Sequence, residues 1–184
     1  MSARNRLVAE LRQHALVVGE VRLTSGAKAQ YLVDAKRAIL RPEGFRALSE
    51  LVADRARAVG ATAVGGLTMG ADPIACAALA GGADVKAFFV RKEVKSHGLS
   101  RRIEGPDLAP DDRCLVLEDV VTTGGSTIKA IDAVREEGHD VCGVLAICDR
   151  LAGGAEAIRE AIGDGPYEAL CTIDDVYPER PDRR

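Results

Sequence analysis

Short apolar runs alternate with helical periods through most of this chain, and that alternation constrains the fold more than any other feature. Ala63-Val64-Gly65-Gly66, Val85–Val90, Cys114–Leu117 and Val141–Cys148 read as buried strands, with Ala169–Ile173 as a last one. Pro73–Ala80, Thr127–Glu137 and Ala155–Ile162 read as helices set among them. Continuously apolar strands joined through helices imply a mostly parallel sheet covered on both faces, an α/β fold. Residues 1–40 do not follow the alternation. Ser2 can cap a helix with Leu7, Val8, Leu11, Ala15 and Leu16 on one face. Val21–Leu23 and Tyr31–Val33 read as short strands with a turn at Ser25-Gly26. Pro42 opens a helix whose period runs from Phe45 to Val59 and stops at Gly60. The expected organisation is one domain over residues 1–184, with a helix and small lobe in 1–40 and a core in 60–175.

Composition removes several function classes. The chain has 184 residues, 47 % apolar and 29 % charged, so it is globular and long enough to bury a core without staples. A net charge of −3 speaks against a general nucleic-acid binder, which gains affinity by releasing counterions to surplus Lys and Arg. An aromatic content of 3 % speaks against a base-stacking surface. No stretch approaches the roughly 20 apolar residues that cross a bilayer. Met1–Glu20 lacks the apolar centre of a signal peptide, so the expectation is a cytoplasmic protein without membrane or nucleic-acid partners. Cys76, Cys114, Cys142, Cys148 and Cys171 are dispersed, with no C-x-x-C spacing, and read as small buried residues. His14 and His139 have no evident partners, and the charged tail from Pro178 to Arg184 reads as frayed.

Most of the chemistry lies in Cys114–Thr127. An apolar strand ends in Glu118-Asp119, Val120-Val121 follow, and Thr122-Thr123-Gly124-Gly125-Ser126-Thr127 leads into a helix. Unpaired N–H groups at a helix start, with hydroxyls and glycines around them, make an anion cradle. The two acids cannot bind that anion, but they can bind sugar hydroxyls or a hard cation such as Mg²⁺. A phosphate cup beside a diol-binding acid pair suits a ribose 5-phosphate. The segment is neither a P-loop nor a G-x-G-x-x-G dinucleotide turn. A plain strand–turn–helix junction is the alternative, weakened by the acids at a strand's carboxyl end, where open α/β sheets bind ligands.

A second concentration follows the Val85–Val90 strand. Arg91, Lys92, Lys95 and His97 crowd together in a chain that is acidic overall. Arg91–Asp112 has no clear apolar period, and structureless connections beyond about 12–15 residues inside a compact domain are commonly lids. Gly98 and Gly105-Pro106 would let such a lid move. Its cations suit a departing polyanion, whose charge needs neutralising in the transition state. A solvated surface loop is the plainer reading. Asp149-Arg150 ends the Val141–Cys148 strand, where an Arg can fork a planar carboxylate. The glycine-rich turn Gly65–Pro73 follows another strand and offers backbone N–H groups to pyrophosphate oxygens.

Cys114–Thr127 resembles the 5-phosphoribosyl 1-diphosphate (PRPP) signature of the type I phosphoribosyltransferases: apolar residues, two acids, two apolar residues, then a Thr/Gly-rich turn. Arg91-Lys92-x-x-Lys95-x-His97-Gly98 resembles the catalytic loop of one branch, the orotate phosphoribosyltransferases. The resemblance covers nearly the whole chain. It implies the type I fold, a mostly parallel central sheet flanked by helices with a small N-terminal hood. It also implies transfer of ribose 5-phosphate from PRPP to orotate, giving orotidine 5′-monophosphate and pyrophosphate in pyrimidine biosynthesis.

By the same resemblance, Glu118, Asp119, Val120, Val121, Thr122, Thr123, Gly124, Gly125 and Ser126 bind PRPP. Arg91, Lys92, Lys95 and His97 bind it too and, with Asp119, are catalytic. Thr122 and Arg150 bind orotate, and Mg²⁺ arrives with PRPP, with Glu118 and Asp119 as its candidate protein ligands. A homodimer is implied, with the catalytic loop, residues 91–112, shared across its interface. Many members carry an aromatic residue and a Lys where this chain has Met69 and Gly70, a Lys at Thr24, and paired aromatics at Leu32 and Val33. Lys28 and Lys36 are both candidates to compensate. A PRPP-binding regulator, or an enzyme for another base such as a purine, remains open on the same fold.

Overall fold

The apolar runs align as neighbouring strands in a computed structural model of the protein, which describes residues 1–22, 28–93 and 102–183. The chain begins with α1 (Ala3–Glu10), a π-helical turn at Leu11–Ala15, the strands β1 (Leu16–Arg22) and β2 (Lys28–Val33), and the helices α2 (Lys36–Ile39) and α3 (Pro42–Ala58). Then come β3 (Ala63–Leu67), α4 (Asp72–Ala80), β4 (Lys86–Val90), β5 (Ile103–Glu104) and β6 (Arg113–Val121). The last elements are α5 (Gly125–Glu136), β7 (Asp140–Asp149), α6 (Gly154–Ile162), β8 (Tyr167–Thr172) and α7 (Ile173–Val176).

The main sheet has the order β5-β4-β3-β6-β7-β8. Every pair in it is parallel except β4 with β5. From β3 the chain winds outward to β4, then returns to the other side of β3 as β6 and continues to β7 and β8. The order therefore reverses between β3 and β6, and such a switch point opens a crevice at the carboxyl ends of the strands. The turn after β3 and the loop after β6 both face it.

Side chains alternate across the sheet. On one face Leu115 and Leu117 of β6 pack with Leu48 and Val52 of α3 and Ile74 of α4. On the other, Cys114 and Val116 pack with Ile131 and Val134 of α5 and Ile158 of α6. Leu7 and Leu11 join the first of these cores fully buried, so α1 belongs to the body of the protein. Among the described residues β1 and β2 form a separate sheet, an antiparallel pair.

Several details differ from the sequence reading. β1 starts at Leu16, not Val21, so Leu16 belongs to the strand and not to the first helix, and Cys76 is exposed where a buried residue is expected. The strand expected over Cys114–Leu117 continues through the acids to Val121, because its pairing with β7 runs on to Val121 and Asp149. Helix α5 starts at Gly125, two residues before Thr127. The segment after Val90 returns to the sheet as β5, where Glu137 accepts hydrogen bonds from the N–H groups of Arg102 (2.7 Å) and Ile103 (3.1 Å). The charged tail is held rather than frayed: Arg180 pairs with Asp174 and Asp182. The expected turn at Ser25-Gly26 lies outside the described residues.

At the opposite end of the sheet one buried carboxylate ties three strands together. Asp112, just before β6, accepts hydrogen bonds from Lys86 Nζ (2.7 Å) of β4, Thr62 Oγ1 (2.7 Å) before β3 and the Ala109 N–H (2.5 Å). Burial works to raise its pKa, but these donors outweigh burial and hold it down at about 2. A depressed carboxylate adds stability above its unfolded pKa and loses it as pH falls through the folded value. Asp112→Ala is expected to lower unfolding free energy by about 1–2 kcal/mol in urea titrations at pH 7, since three part-buried donors lose their acceptor. The wild type should lose stability between about pH 4 and pH 2, and Asp112→Asn should show a shallower fall.

Candidate active site

The end of β6 turns into α5 through Thr122, Thr123 and Gly124. Gly124 caps the helix with φ +82°, a left-handed conformation that an L side chain adopts only with strain. A Cβ there would also lie 2.9 Å from the Gly154 carbonyl oxygen. The first helical hydrogen bond runs from the Ile128 N–H to the Gly124 carbonyl (2.9 Å), so the N–H groups before it have no helical acceptor. Thr122, Thr123, Gly125 and Ser126 are exposed around a cleft of about 120 Å³, a size suited to a phosphate group. Thr127 contributes differently. Its hydroxyl is buried and donates to Glu118 Oε2 at 3.0 Å. Val121 faces the core, and its carbonyl accepts from the Arg150 N–H at 2.9 Å.

Glu118 and Asp119 lie in adjacent positions of one strand, so their environments diverge. Glu118 is buried, and burial first, then the negative charge of Asp119, pushes its pKa up to about 8. Asp119 Oδ2 accepts from Lys36 Nζ at 3.0 Å, and the same ammonium lies 3.0 Å from Asp34 Oδ1. Burial lowers the Lys36 pKa, and the two carboxylates more than reverse that, so Lys36 stays charged. Among the described residues, Lys36 is the one side-chain cation bonded to either acid of the pair. It was one of two candidates for a missing cation, and geometry separates them: Lys28 pairs with Glu20 at 2.9 Å on the exposed hairpin.

Gly70 explains the rest of that departure. A Cβ at position 70 would sit 2.7 Å from Asp119 Oδ1, so the Gly65–Pro73 turn presses its bare backbone against the carboxylate. A lysine there would have to displace Asp119. Met69 beside it is 73 % exposed and points away from the core. No sequence signal links position 70 to position 119; the contact exists only because β3 and β6 are neighbours.

Arg150 leaves the end of β7 beside the phosphate loop, because Asp149 is paired with Val121. Asp149 is buried and accepts from the Leu151 N–H (2.7 Å) and the Tyr167 hydroxyl (2.8 Å), which fixes the turn that carries Arg150. The guanidinium lies 4.6 Å from the centroid of the Tyr31 ring. Its Nε is buried and has no hydrogen-bond partner among the described residues.

Of the basic segment, Arg91 pairs with Glu104 at 3.2 Å, and Lys92 is exposed. Lys95, His97, Thr24 and the Ser25-Gly26 turn lie outside the described residues. The other two histidines stand apart from the site: His14 faces Glu10 at 3.8 Å, and His139 follows α5 at its far end.

A parallel sheet whose switch point carries this phosphate cradle, acid pair and glycine turn defines a type I phosphoribosyltransferase. No protein-family model matches the chain. It is similar to orotate phosphoribosyltransferase of Corynebacterium glutamicum, at 44 % identity over 177 residues covering 96 % of this chain and 95 % of that protein. It is similar in structure to the orotate phosphoribosyltransferase of Mycobacterium tuberculosis, with TM-score 0.84, 39 % identity, and 95 % and 99 % of the two chains covered. A structure of the Mycobacterium tuberculosis enzyme in complex with PRPP matches with TM-score 0.76 and 31 % identity, over 95 % of this chain and 91 % of that one. The chain belongs to the orotate phosphoribosyltransferase family.

The burial of Glu118 has a measurable consequence. Between about pH 4.5 and 8 the folded state holds a proton that the unfolded chain has released, so stability falls as pH rises across that window. Thermal or urea unfolding should show the wild type losing on the order of 2 kcal/mol relative to Glu118→Gln from pH 5 to pH 8. Parallel pH profiles for the two proteins would contradict it.

Proposed function

We propose that this chain is an orotate phosphoribosyltransferase, joining the ribose 5-phosphate of PRPP to orotate with release of pyrophosphate, a step of pyrimidine biosynthesis. The observation that carries this reading is the side-by-side placement of the Thr122–Ser126 cradle and Arg150 at the ends of paired strands. One site can then hold a sugar phosphate and a planar carboxylate at once. Family membership supports the same reading.

In this mechanism Thr122, Thr123, Gly124, Gly125 and Ser126 hold the 5-phosphate through backbone N–H groups and hydroxyls at the start of α5. Val120 and Val121 set the height of the loop from within β6. Asp119, ion-paired with Lys36, accepts a ribose hydroxyl, and Glu118 backs it. Arg150 forks the orotate carboxylate, and Thr122 contacts the ring beside it. The ring nitrogen attacks the anomeric carbon as the bond from that carbon to the pyrophosphate oxygen breaks; pyrophosphate leaves with the electron pair, and the proton lost by the ring nitrogen passes to the departing pyrophosphate or to water. Arg91, Lys92, Lys95 and His97 neutralise the leaving group and close the site against water, whose attack on PRPP is the competing reaction.

The acids suit Mg²⁺ as a partner carried in by its substrate. Among the described residues no group of three or more His, Cys, Asp or Glu side chains is placed to hold a metal alone. Magnesium commonly binds through one or two carboxylates plus phosphate oxygens and water; Asp119 is the carboxylate that would hold it, with Glu118 buried behind it. When bound there, it supplies positive charge against the developing pyrophosphate. A homodimer that shares the basic loop between subunits and a cytoplasmic location belong to the same reading. Among the described residues no helix is long and apolar enough to cross a membrane.

The test is the ultraviolet absorbance of orotate in the presence of protein, PRPP and Mg²⁺. Loss of orotate that EDTA abolishes is expected. Lys95→Ala should lower kcat tenfold or more with a smaller change in KM, because its charge acts as pyrophosphate departs. Bound PRPP without orotate loss would instead indicate a PRPP sensor or an enzyme for another base, and an unchanged kcat would remove Lys95 from the mechanism.

A further inference from the structure

The hairpin residue Tyr31 is 2 % exposed, yet it lies at the edge of the site rather than in the middle of the core. Three groups converge on it. The Arg150 guanidinium lies over its ring face at 4.6 Å. The Tyr177 ring meets it edge-on, with centroids 5.4 Å apart and planes at 81°. Its hydroxyl donates to the Asp182 carboxylate, 3.0 Å from Oδ2 and 3.1 Å from Oδ1. Burial, more than any neighbour, raises the pKa of that hydroxyl, so it remains a donor.

The groups behind Tyr31 come from the end of the chain. Asp182 is held by Arg180 Nε at 3.1 Å. The Arg180 side chain is only 8 % exposed and also pairs with Asp174 at the start of α7. The tail thus crosses from α7 back to the hairpin and fastens the ring on which Arg150 rests. A guanidinium stacked on an aromatic face has its plane fixed, while its N–H groups stay available around the rim. Arg150 Nε is buried with no acceptor among the described residues, and the guanidinium also acts as a hydrogen-bond donor toward the Tyr31 hydroxyl.

We propose that Tyr31 is a positioning residue for Arg150, clamped by the C-terminal segment Tyr177–Asp182, and that this assembly sets the affinity for the planar carboxylated base. The inference rests on the reading of Arg150 as the carboxylate-binding group. It gives the tail a part in base selection that a PRPP-binding role does not require. A flexible guanidinium must be ordered when substrate arrives, whereas one already held against a ring binds without that cost.

Steady-state kinetics with each substrate varied tests this. Tyr31→Leu should raise the KM for orotate about tenfold and change the KM for PRPP less than twofold. Asp182→Ala, a change at an exposed carboxylate, should raise the orotate KM about threefold with PRPP unaffected, and it covers the case in which Tyr31→Leu fails to fold. Tyr31→Phe, which keeps the ring face, should recover most of what Tyr31→Leu loses. In an Arg150→Leu background, Tyr31→Leu should add nothing to the orotate KM, since both changes act through one group. Equal rises in both KM values, or a full Tyr31→Leu effect without Arg150, overturns the proposal. If Arg150→Leu itself leaves the orotate KM unchanged, the carboxylate reading of Arg150 falls and the positioning role falls with it. If Arg150→Leu weakens orotate while the Tyr31 and Asp182 variants are silent, only the positioning role falls.

Discussion

The parallel pairing of β6 with β7 determines where the chemistry is placed. After a register shift between Cys114 and Leu115 the ladder runs on to join Val121 to Asp149 at its far end, and the next residue on each strand faces the site. One is Thr122, which opens the phosphate cradle; the other is Arg150. A slip of one residue would turn both side-chain sets to the opposite faces of the sheet. The pairing is fixed by the burial of Leu115, Leu117, Leu145 and Ile147 on one face and Cys114, Val116, Val144 and Ala146 on the other. Core packing and substrate placement are thus consequences of one register.

The acid pair shows how such a register also divides labour. Glu118 is buried under Thr127, while the adjacent Asp119 bonds to Lys36, its charge close enough to raise the Glu118 pKa. Glu118 is favoured as the neutral acid, and Asp119 is ion-paired with Lys36. The Gly70 backbone closes the other side of Asp119. Three segments far apart in sequence therefore fix one carboxylate, and each does so at the ends of neighbouring elements around the switch point.

The central sheet was legible in the sequence because buried parallel strands are apolar throughout and need no long-range knowledge to recognise. The cradle was legible because Thr-Thr-Gly-Gly-Ser must lie between a strand and a helix to make sense. Strand ends were less so: the polarity of Glu118-Asp119 hides that the ladder with β7 continues past them. The role of Lys36, the reason for Gly70 and the stacking of Arg150 on Tyr31 were hidden for another reason. Each is a contact between elements distant in sequence, and none leaves a local pattern. The tail misled in the same way, since its charges look solvated until Asp174 and Tyr31 are brought beside it.

The central claim is that one continuous site binds a 5-phosphate at one end and a base carboxylate at the other. Calorimetric titration with two nucleotides that differ only in that carboxylate tests it most directly. Orotidine 5′-monophosphate should bind about a hundredfold more tightly than uridine 5′-monophosphate, as about 3 kcal/mol from a charged hydrogen-bonded pair implies. Equal dissociation constants for the two nucleotides would contradict the account.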